Sequence, residues 1–181
     1  MTAVLQPATG RGTVMTSPWD ADEAVSTLYA AHYAALVRLA ALLVRSSGEA
    51  EEIVQDSFVA MHGKWGRLRE PEKAVGYLRR TVLNRARSSL RRHRVADKHS
   101  APDTAVSPSA EQHALAAESR AAVIAALHRL PTRQREVLVL RYYGNLSEAD
   151  IAATLGISRG AVKSHASRGM TALRSSLEDS R

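Results

Sequence analysis

Polar side chains at helical spacing form a candidate phosphate-binding face in the first half of the chain. Arg80, Asn84, Arg87 and Arg91 follow one another at offsets of four, three and four, which places them on one face of a helix. No acid occurs in residues 76–96, so these arginines lack the i,i+4 partners of an ordinary solvated helix. Unpaired guanidinium groups repel one another, and nucleic-acid phosphates would relieve that repulsion. The pattern favours nucleic-acid binding over a merely solvated basic helix.

Neighbouring residues extend this face. Arg79, Arg85 and Arg92 widen the polar surface. Tyr77 has two open interpretations: stacking on an exposed base or packing as a core aromatic.

A second candidate surface lies in residues 146–165, which have the pattern of a helix-turn-helix. Ser147 can cap the first helix with Asp150 three residues on, and Gly156 can adopt the positive φ of the turn. Ser158 can cap the second helix. That helix presents polar residues to base edges in a major groove if the motif binds DNA. Together with the cap, they are Ser158, Arg159, Lys163, Ser164 and Arg168. His165, at the border of the apolar face, either packs or contacts DNA.

A third group is acidic. Glu49, Glu52 and Asp56 share one helix face, with Glu51 and Gln55 beside it. Favourable interaction with a helix N-terminus accounts for the first acids but not for Asp56, two turns in. Docking of a basic protein surface is the alternative explanation.

The charge distribution supports the first assignment. The chain of 181 residues carries 25 Lys+Arg and 18 Asp+Glu, a net charge of +7. Residues 79–98 hold eight of the basic residues and the single acid Asp97, so this segment accounts for the entire net charge. A localised basic field is typical of a nucleic-acid footprint.

Several functional classes are excluded. The chain has no cysteine, which rules out disulfides and thiolate chemistry. Its seven histidines are scattered, and residues 9–13 do not form a phosphate loop. We therefore expect no enzyme activity, metal, cofactor or small-molecule substrate. No apolar run approaches the roughly 20 residues of a membrane span, and no secretion signal is visible, so we expect no membrane association.

The elements that position these residues are predicted to be helices. Apolar residues recur at offsets of three and four, and aromatics are only 4% of the chain. The predicted helices cover residues 22–44, 49–62, 71–94, 111–130, 132–142, 147–155 and 158–177. The fold class is all-α, with two small helical domains joined by a flexible linker and a helix-turn-helix in the second. The boundaries are a flexible leader at 1–21, domains at 22–95 and 111–181, and a linker at 96–110.

The assembled motifs resemble a known family. Residues 50–58, 74–87, 130–143 and 155–164 are similar, in this order, to extracytoplasmic-function sigma factors of bacterial RNA polymerase, specifically the actinobacterial SigE-type group. The chain departs from common family residues at Tyr77, Ala161 and His165.

The resemblance implies a role for each surface. Residues 22–95 would be sigma region two and residues 111–181 region four. Glu52, Gln55 and Asp56 would dock on the β′ clamp helices of core RNA polymerase, while region four packs on the β flap. Promoter DNA would be bound at two elements. The minus-ten residues would be Tyr77, Arg80, Asn84, Arg85, Arg87 and Arg91, and the minus-thirty-five residues those of the helix-turn-helix named above.

The resulting hypothesis is a promoter-specificity subunit of RNA polymerase. It would act in the cytoplasm, associated with the nucleoid, and an anti-sigma factor is a further partner that the resemblance allows. The alternative is a stand-alone helix-turn-helix transcriptional regulator, which would not explain a second basic helix beside an acidic docking face.

Overall fold

Helices dominate the part of the chain that is described, residues 18–68, 70–97 and 114–179 of a computed structural model. No β-strand occurs within these ranges, which confirms the all-α prediction. The seven α-helices are α1 (Pro18–Ala41), α2 (Ser47–His62), α3 (Ala74–Asp97), α4 (Ala114–Arg129), α5 (Thr132–Leu138), α6 (Glu148–Leu155) and α7 (Arg159–Glu178). Most of the predicted leader and linker lies outside the described residues.

Helices α1, α2 and α3 form a first group. The Ser46 side chain caps α2 by accepting a hydrogen bond from the Glu49 backbone N–H at 3.2 Å. Short 3₁₀ turns at Trp65–Arg67 and Pro71–Lys73 lead into α3. The group buries apolar faces of all three helices, with Leu36, Leu39, Leu43, Val54, Phe58, Met61, Leu78, Val82 and Leu83 at its centre. Burying each such side chain contributes about 1.5–3 kcal/mol.

Five boundaries in this group differ from the predictions. Helix α1 begins at Pro18, four residues early, because proline suits the first helical position, where its missing N–H is not needed. Residues 18–21 are therefore helical and not part of a leader. Helix α1 also ends at Ala41 instead of residue 44, and α2 begins at Ser47 instead of residue 49. Helix α3 begins at Ala74 instead of residue 71, after the 3₁₀ turn, and continues to Asp97, three residues beyond its predicted end.

Helices α4 to α7 form the second group, in which α5 packs on α7. The sequence predicted one helix over residues 132–142. In the structure α5 ends at Leu138 and a π-helical turn follows at Val139–Tyr143. The Gly144 N–H donates to the Val139 carbonyl at 2.9 Å, the i→i+5 bond of a π-turn. A side chain at Gly144 would meet the Leu140 carbonyl oxygen at 2.7 Å, so this turn requires glycine.

The two groups also pack against each other. One cluster of buried apolar residues contains Leu78 and Val82 of α3 together with Leu140, Ile151 and Val162 of the second group. A smaller cluster of Leu127, Leu130 and Leu138 contacts Leu42, which follows α1. The linker composition alone did not predict this continuity of the core.

Candidate nucleic-acid interface

The polar face of α3 is exposed at three of its predicted binding residues. Arg80, Asn84 and Arg91 are open to solvent. Asn84 Oδ1 accepts a hydrogen bond from Arg87 Nη1 at 3.3 Å, and Arg91 Nη2 donates to Ser88 Oγ at 3.4 Å. The helix therefore presents cationic donors and an amide along one side.

Two arginines of this face have carboxylate partners, so the expectation of unpaired arginines was wrong for them. Arg85 Nη1 lies 2.7 Å from Asp56 Oδ2 of α2. Arg87 binds Glu136 of α5 through two hydrogen bonds, Nε to Oε1 at 2.5 Å and Nη2 to Oε2 at 2.9 Å. The absence of acids from residues 76–96 was correctly noted, but the partners come from other helices, which sequence spacing does not reveal.

Tyr77 and Arg79 occupy the border of the face. Tyr77 is half-buried against the apolar core and, with Arg80, lines a groove between α3 and α6. It therefore packs while keeping part of its ring accessible. Arg79 lines the same groove, where desolvation lowers the pKa of its guanidinium and Asp150 acts in the opposite direction.

The acidic face of α2 is exposed at Glu52, Gln55 and Asp56. Val59, one turn further on the same face, is 72% exposed, and sequence analysis did not identify it. Its offset of three from Asp56 was the available signal. Together these four residues form a surface with two acids and one uncovered apolar side chain.

Glu49 does not belong to this exposed face. Its carboxylate accepts hydrogen bonds from Ser89 Oγ and from the Arg45 backbone N–H at 3.3 Å, and it lies 3.1 Å from His93 Nε2. Glu49 thus ties the start of α2 to α3, in addition to its favourable position at the helix N-terminus.

The helix-turn-helix has the predicted caps and turn. Ser147 Oγ accepts from the Asp150 N–H at 3.2 Å and donates to its carboxylate at 2.6 Å. Gly156 has φ 65°, and Ser158 Oγ accepts from the Ala161 N–H at 3.1 Å. The α7 side chains predicted to contact DNA, together with Ser158, are all exposed: Arg159, Lys163, Ser164 and Arg168.

His165 lies beside this surface and is half-buried. Its Nδ1 atom is buried and has no hydrogen-bond partner among the described residues. Of the two interpretations left open by the sequence, the position favours packing.

Two further cations adjoin the α7 surface and were missed by sequence analysis. Arg141 and Arg174 line a shallow cleft together with Lys163. Tyr142 and Met170 also line this cleft. Arg141 Nη1 also lies 3.4 Å from Glu148 Oε1. Their separation in the sequence hid this grouping.

The described residues contain no cluster of three or more His, Asp or Glu side chains able to hold a metal ion. None of their helices is long and apolar enough to cross a membrane. The site combines exposed cationic side chains, amide groups and capped helix ends. These groups are suited to binding nucleic acid.

Comparison with known families gives matches to both helical groups. Residues 28–95 match the family described as Sigma-70 region 2, and residues 120–173 match Sigma-70, region 4. The first range corresponds to most of α1 through α3, and the second to most of α4 through α7.

Whole proteins are also similar. The RNA polymerase sigma-E factor of Streptomyces avermitilis is 35% identical over 146 residues, 80% of this chain and 79% of that protein. The ECF RNA polymerase sigma factor SigM of Mycobacterium tuberculosis is 36% identical over 151 residues, 83% of this chain and 75% of its own length.

Two solved structures share the fold. CnrH, solved in complex with the cytosolic domain of CnrY, aligns with a TM-score of 0.65 and 25% identity over 91% of this chain and 98% of its own. RpoE of Bartonella quintana, solved with the anti-sigma factor NepR, aligns with a TM-score of 0.69 and 24% identity over 90% and 99% of the two chains.

Proposed function

Because this chain belongs to the extracytoplasmic-function sigma factors of RNA polymerase, we propose that it recognises promoters through one surface on α3 and another on α7. Residues 22–95 would be region two and residues 111–181 region four, joined by residues 96–110. Within the family we place the chain in the actinobacterial SigE-type group, a proposal supported by 35% identity to a Streptomyces sigma-E factor. Sigma factors are not catalytic enzymes, so the function lies in binding.

The observation that carries this proposal is the presence of two separate cationic helix faces in one chain. The α3 face would bind the minus-ten element through Tyr77, Arg80, Asn84, Arg85, Arg87 and Arg91. The α7 face would bind the minus-thirty-five element through Ser158, Arg159, Lys163, Ser164 and Arg168. A stand-alone regulator, the alternative hypothesis, is not favoured because it requires only the second face.

Core RNA polymerase would dock at the exposed face of α2. Glu52 and Asp56 supply charge, Gln55 supplies hydrogen-bonding groups, and Val59 supplies an apolar contact at its edge. Two exposed acids beside an accessible apolar residue fit a basic partner surface. We assign this face to the β′ clamp helices and the outer surface of region four to the β flap.

An anti-sigma factor is a further proposed partner. CnrH and RpoE were both solved in complexes, the latter with an anti-sigma factor, and this chain aligns with nearly the full length of each. Through its polymerase, the chain would act in the cytoplasm at the nucleoid.

Run-off transcription with purified core polymerase and a promoter library tests the function. We expect transcripts that depend on both this chain and a particular promoter sequence. If an active core yields no such transcript with any member of the library, the proposed function is wrong.

The docking face is tested by Asp56→Arg. Reversing this charge should weaken binding to core polymerase by about thirtyfold or more, the range of an interface hot spot. The measurement is fluorescence anisotropy of the labelled chain titrated with core, without DNA. Arg85→Ala is the matched control, because it breaks the same ion pair but leaves the Asp56 carboxylate; equal losses in both variants would contradict the docking role.

The α7 surface is tested by Arg159→Ala and Lys163→Ala. Each should cost about 1–3 kcal/mol of discrimination on promoters with a minus-thirty-five element. Initiation from templates that lack this element should change little. Arg120→Ala, an exposed cation on α4, serves as the control. Equal losses on both kinds of template would contradict the assignment.

A further inference from the structure

A buried carboxylate joins the two helical groups. The Glu136 side chain is only 3% exposed, and Arg87 of α3 binds both of its oxygens. Arg133 of α5 contributes a third contact, Nη1 to Oε2 at 3.2 Å. We refer to Glu136, Arg87 and Arg133 as the Glu136 cluster. A carboxylate withdrawn from water in this way depends on its partners, because leaving it unpaired is strongly destabilising.

Other contacts lie along the same boundary between the first and second helical groups, which we call the seam. Arg94 Nη2 of α3 donates to Thr132 Oγ1 of α5 at 3.0 Å. Arg38 Nε of α1 donates to the Tyr143 hydroxyl at 2.9 Å. With the apolar contacts between the groups, these bonds make the Glu136 cluster part of an extended interface.

The charges at this seam are unequal. Arg87, Arg94, Arg133 and Arg135 bring four guanidinium groups together, and Glu136 is the carboxylate that contacts two of them. Arg135 is itself buried, with an Nε atom that has no partner among the described residues. Removing the charge of Glu136 would therefore leave arginines facing arginines across the seam.

The pairing of Arg87 also has the geometry of phosphate recognition. A guanidinium presents the same two parallel N–H donors to a carboxylate and to a phosphate. While Glu136 holds both donors, Arg87 cannot use them on DNA. Arg80, Asn84 and Arg91 remain exposed, so the closed arrangement removes part of the α3 face and leaves the rest accessible.

From these observations we propose that Glu136 is an intramolecular competitor of promoter phosphate at Arg87. In the free chain it holds regions two and four together and lowers the affinity of region two for single-stranded DNA. Binding of DNA at Arg87 separates the regions. This inference rests on the proposed role of Arg87 in binding the minus-ten element.

The test uses Glu136→Gln in the full chain, with Glu148→Gln as the matched control. Glu148 also pairs with cations, Arg141 and Lys163, but within the second group. Because the chain has no cysteine, fluorophores can be placed at exposed positions through Ala30→Cys and Ala172→Cys. Energy transfer between them reports closure, and anisotropy of a fluorescein-labelled mixed-sequence single-stranded DNA reports binding.

We expect Glu136→Gln to lower energy transfer and to raise DNA affinity by about fivefold or more, the range of coupling between two sites. Glu148→Gln should leave closure at the wild-type level, because both of its cation partners lie within the second group. Unchanged energy transfer in Glu136→Gln would overturn the proposal, and so would opening without a gain in affinity.

If Glu136→Gln does not fold, Glu136→Asp provides the decision. Its shorter side chain keeps the carboxylate charge but cannot reach both Arg87 donors, which Glu136 binds at 2.5 and 2.9 Å. Glu136→Asp should lower energy transfer and raise affinity in the same direction, and unchanged transfer and affinity would overturn the proposal. Failure of the proposed function is distinguishable, because it would show as absent run-off transcription whatever the energy transfer.

Discussion

At Gly156 the backbone takes φ 65° and ψ 41°, the left-handed region that residues with a side chain avoid. The residue ends α6, and its N–H donates to the Ala152 carbonyl. No other atom lies close to the position that a Cβ would occupy, so glycine is required here by backbone conformation and not by space. The turn between α6 and α7 therefore depends on glycine at this position.

Gly156→Ala should therefore destabilise the protein by about 1 kcal/mol. Gly160→Ala is the matched control: Gly160 lies in the first turn of α7, without a positive φ and with only Ser158 Oγ near its Cβ position. It should stabilise by about 0.5–1 kcal/mol, because alanine favours helix. Thermal unfolding should show Tm shifts of opposite sign, about 2–4 °C each. Shifts of the same sign would contradict the backbone argument.

Helix α7 has two requirements at its first turn. Ser158 caps the helix through the Ala161 N–H, and the same residue lies at the edge of the proposed DNA surface. A cap substitution typically costs about 1 kcal/mol, whether or not the residue contacts a ligand. Stability and DNA binding can be separated by choosing a residue that keeps the cap and changes the charge.

Ser158→Asp should keep the wild-type Tm, because aspartate is an equally good cap, but weaken DNA binding, because its carboxylate would face phosphates. Ser147→Ala, which removes the α6 cap, should lower Tm by about 2–4 °C while folded protein retains DNA affinity. Calorimetry and promoter-DNA anisotropy measure the two effects. Wild-type DNA affinity in Ser158→Asp would place the start of α7 away from DNA.

At the scale of the whole molecule, His128 links the two helical groups. It lies on α4 and interacts with the backbone of Ala41 and Leu42 at the end of α1. Burial lowers the pKa of His128, and the nearby Arg135 lowers it further, while the hydrogen bonds to Ala41 and Leu42 act in the opposite direction. Burial and the charge of Arg135 outweigh these hydrogen bonds, so the folded state favours neutral His128.

This shift makes stability depend on pH in a definite direction. A histidine in the unfolded chain has a pKa of about 6.5, so below this value the unfolded state binds more protons than the folded state. The free energy of unfolding should fall as the pH drops from about 6.5 towards the lower pKa of the folded state, and this contribution is constant above that window.

We expect the loss of Tm between about pH 7.5 and pH 5.5 to be smaller in His128→Asn than in wild type. His128→Asn removes the titrating group and keeps hydrogen-bonding capacity. Ala125→Ser, an exposed substitution on the same helix that removes no titrating group, is the control and should retain the wild-type pH dependence. If Tm depends on pH as steeply in His128→Asn as in wild type, His128 is not the source of the pH dependence.

Local features were predictable from the sequence. Ser147, Gly156 and Ser158 identified the helix-turn-helix because caps and turns depend on residues only a few positions apart. The offsets of three and four between apolar residues also hold in α3, where Leu78, Val82 and Ala86 are all buried. The π-turn after α5 was missed, because it satisfies the same apolar spacing as an α-helix over so short a range.

The partners of the α3 arginines were not predictable. Asp56 is 29 residues from Arg85, and Glu136 is 49 residues from Arg87. Local patterning carries no information about pairs at such separations. The lack of acids in residues 76–96 correctly predicted a cationic face, but it could not show which of its charges are already neutralised in the folded chain.

The sequence by itself therefore determined the all-helical class, the two helical groups, and the helix faces that carry charge, since each follows from periodicity and capping along one segment. Only the tertiary structure decided that the groups share a core and that Glu136 holds Arg87. Those contacts arise from the way separate helices pack. Because packing depends on the shapes and charges of distant segments together, it cannot be derived from the spacing of residues within any one helix.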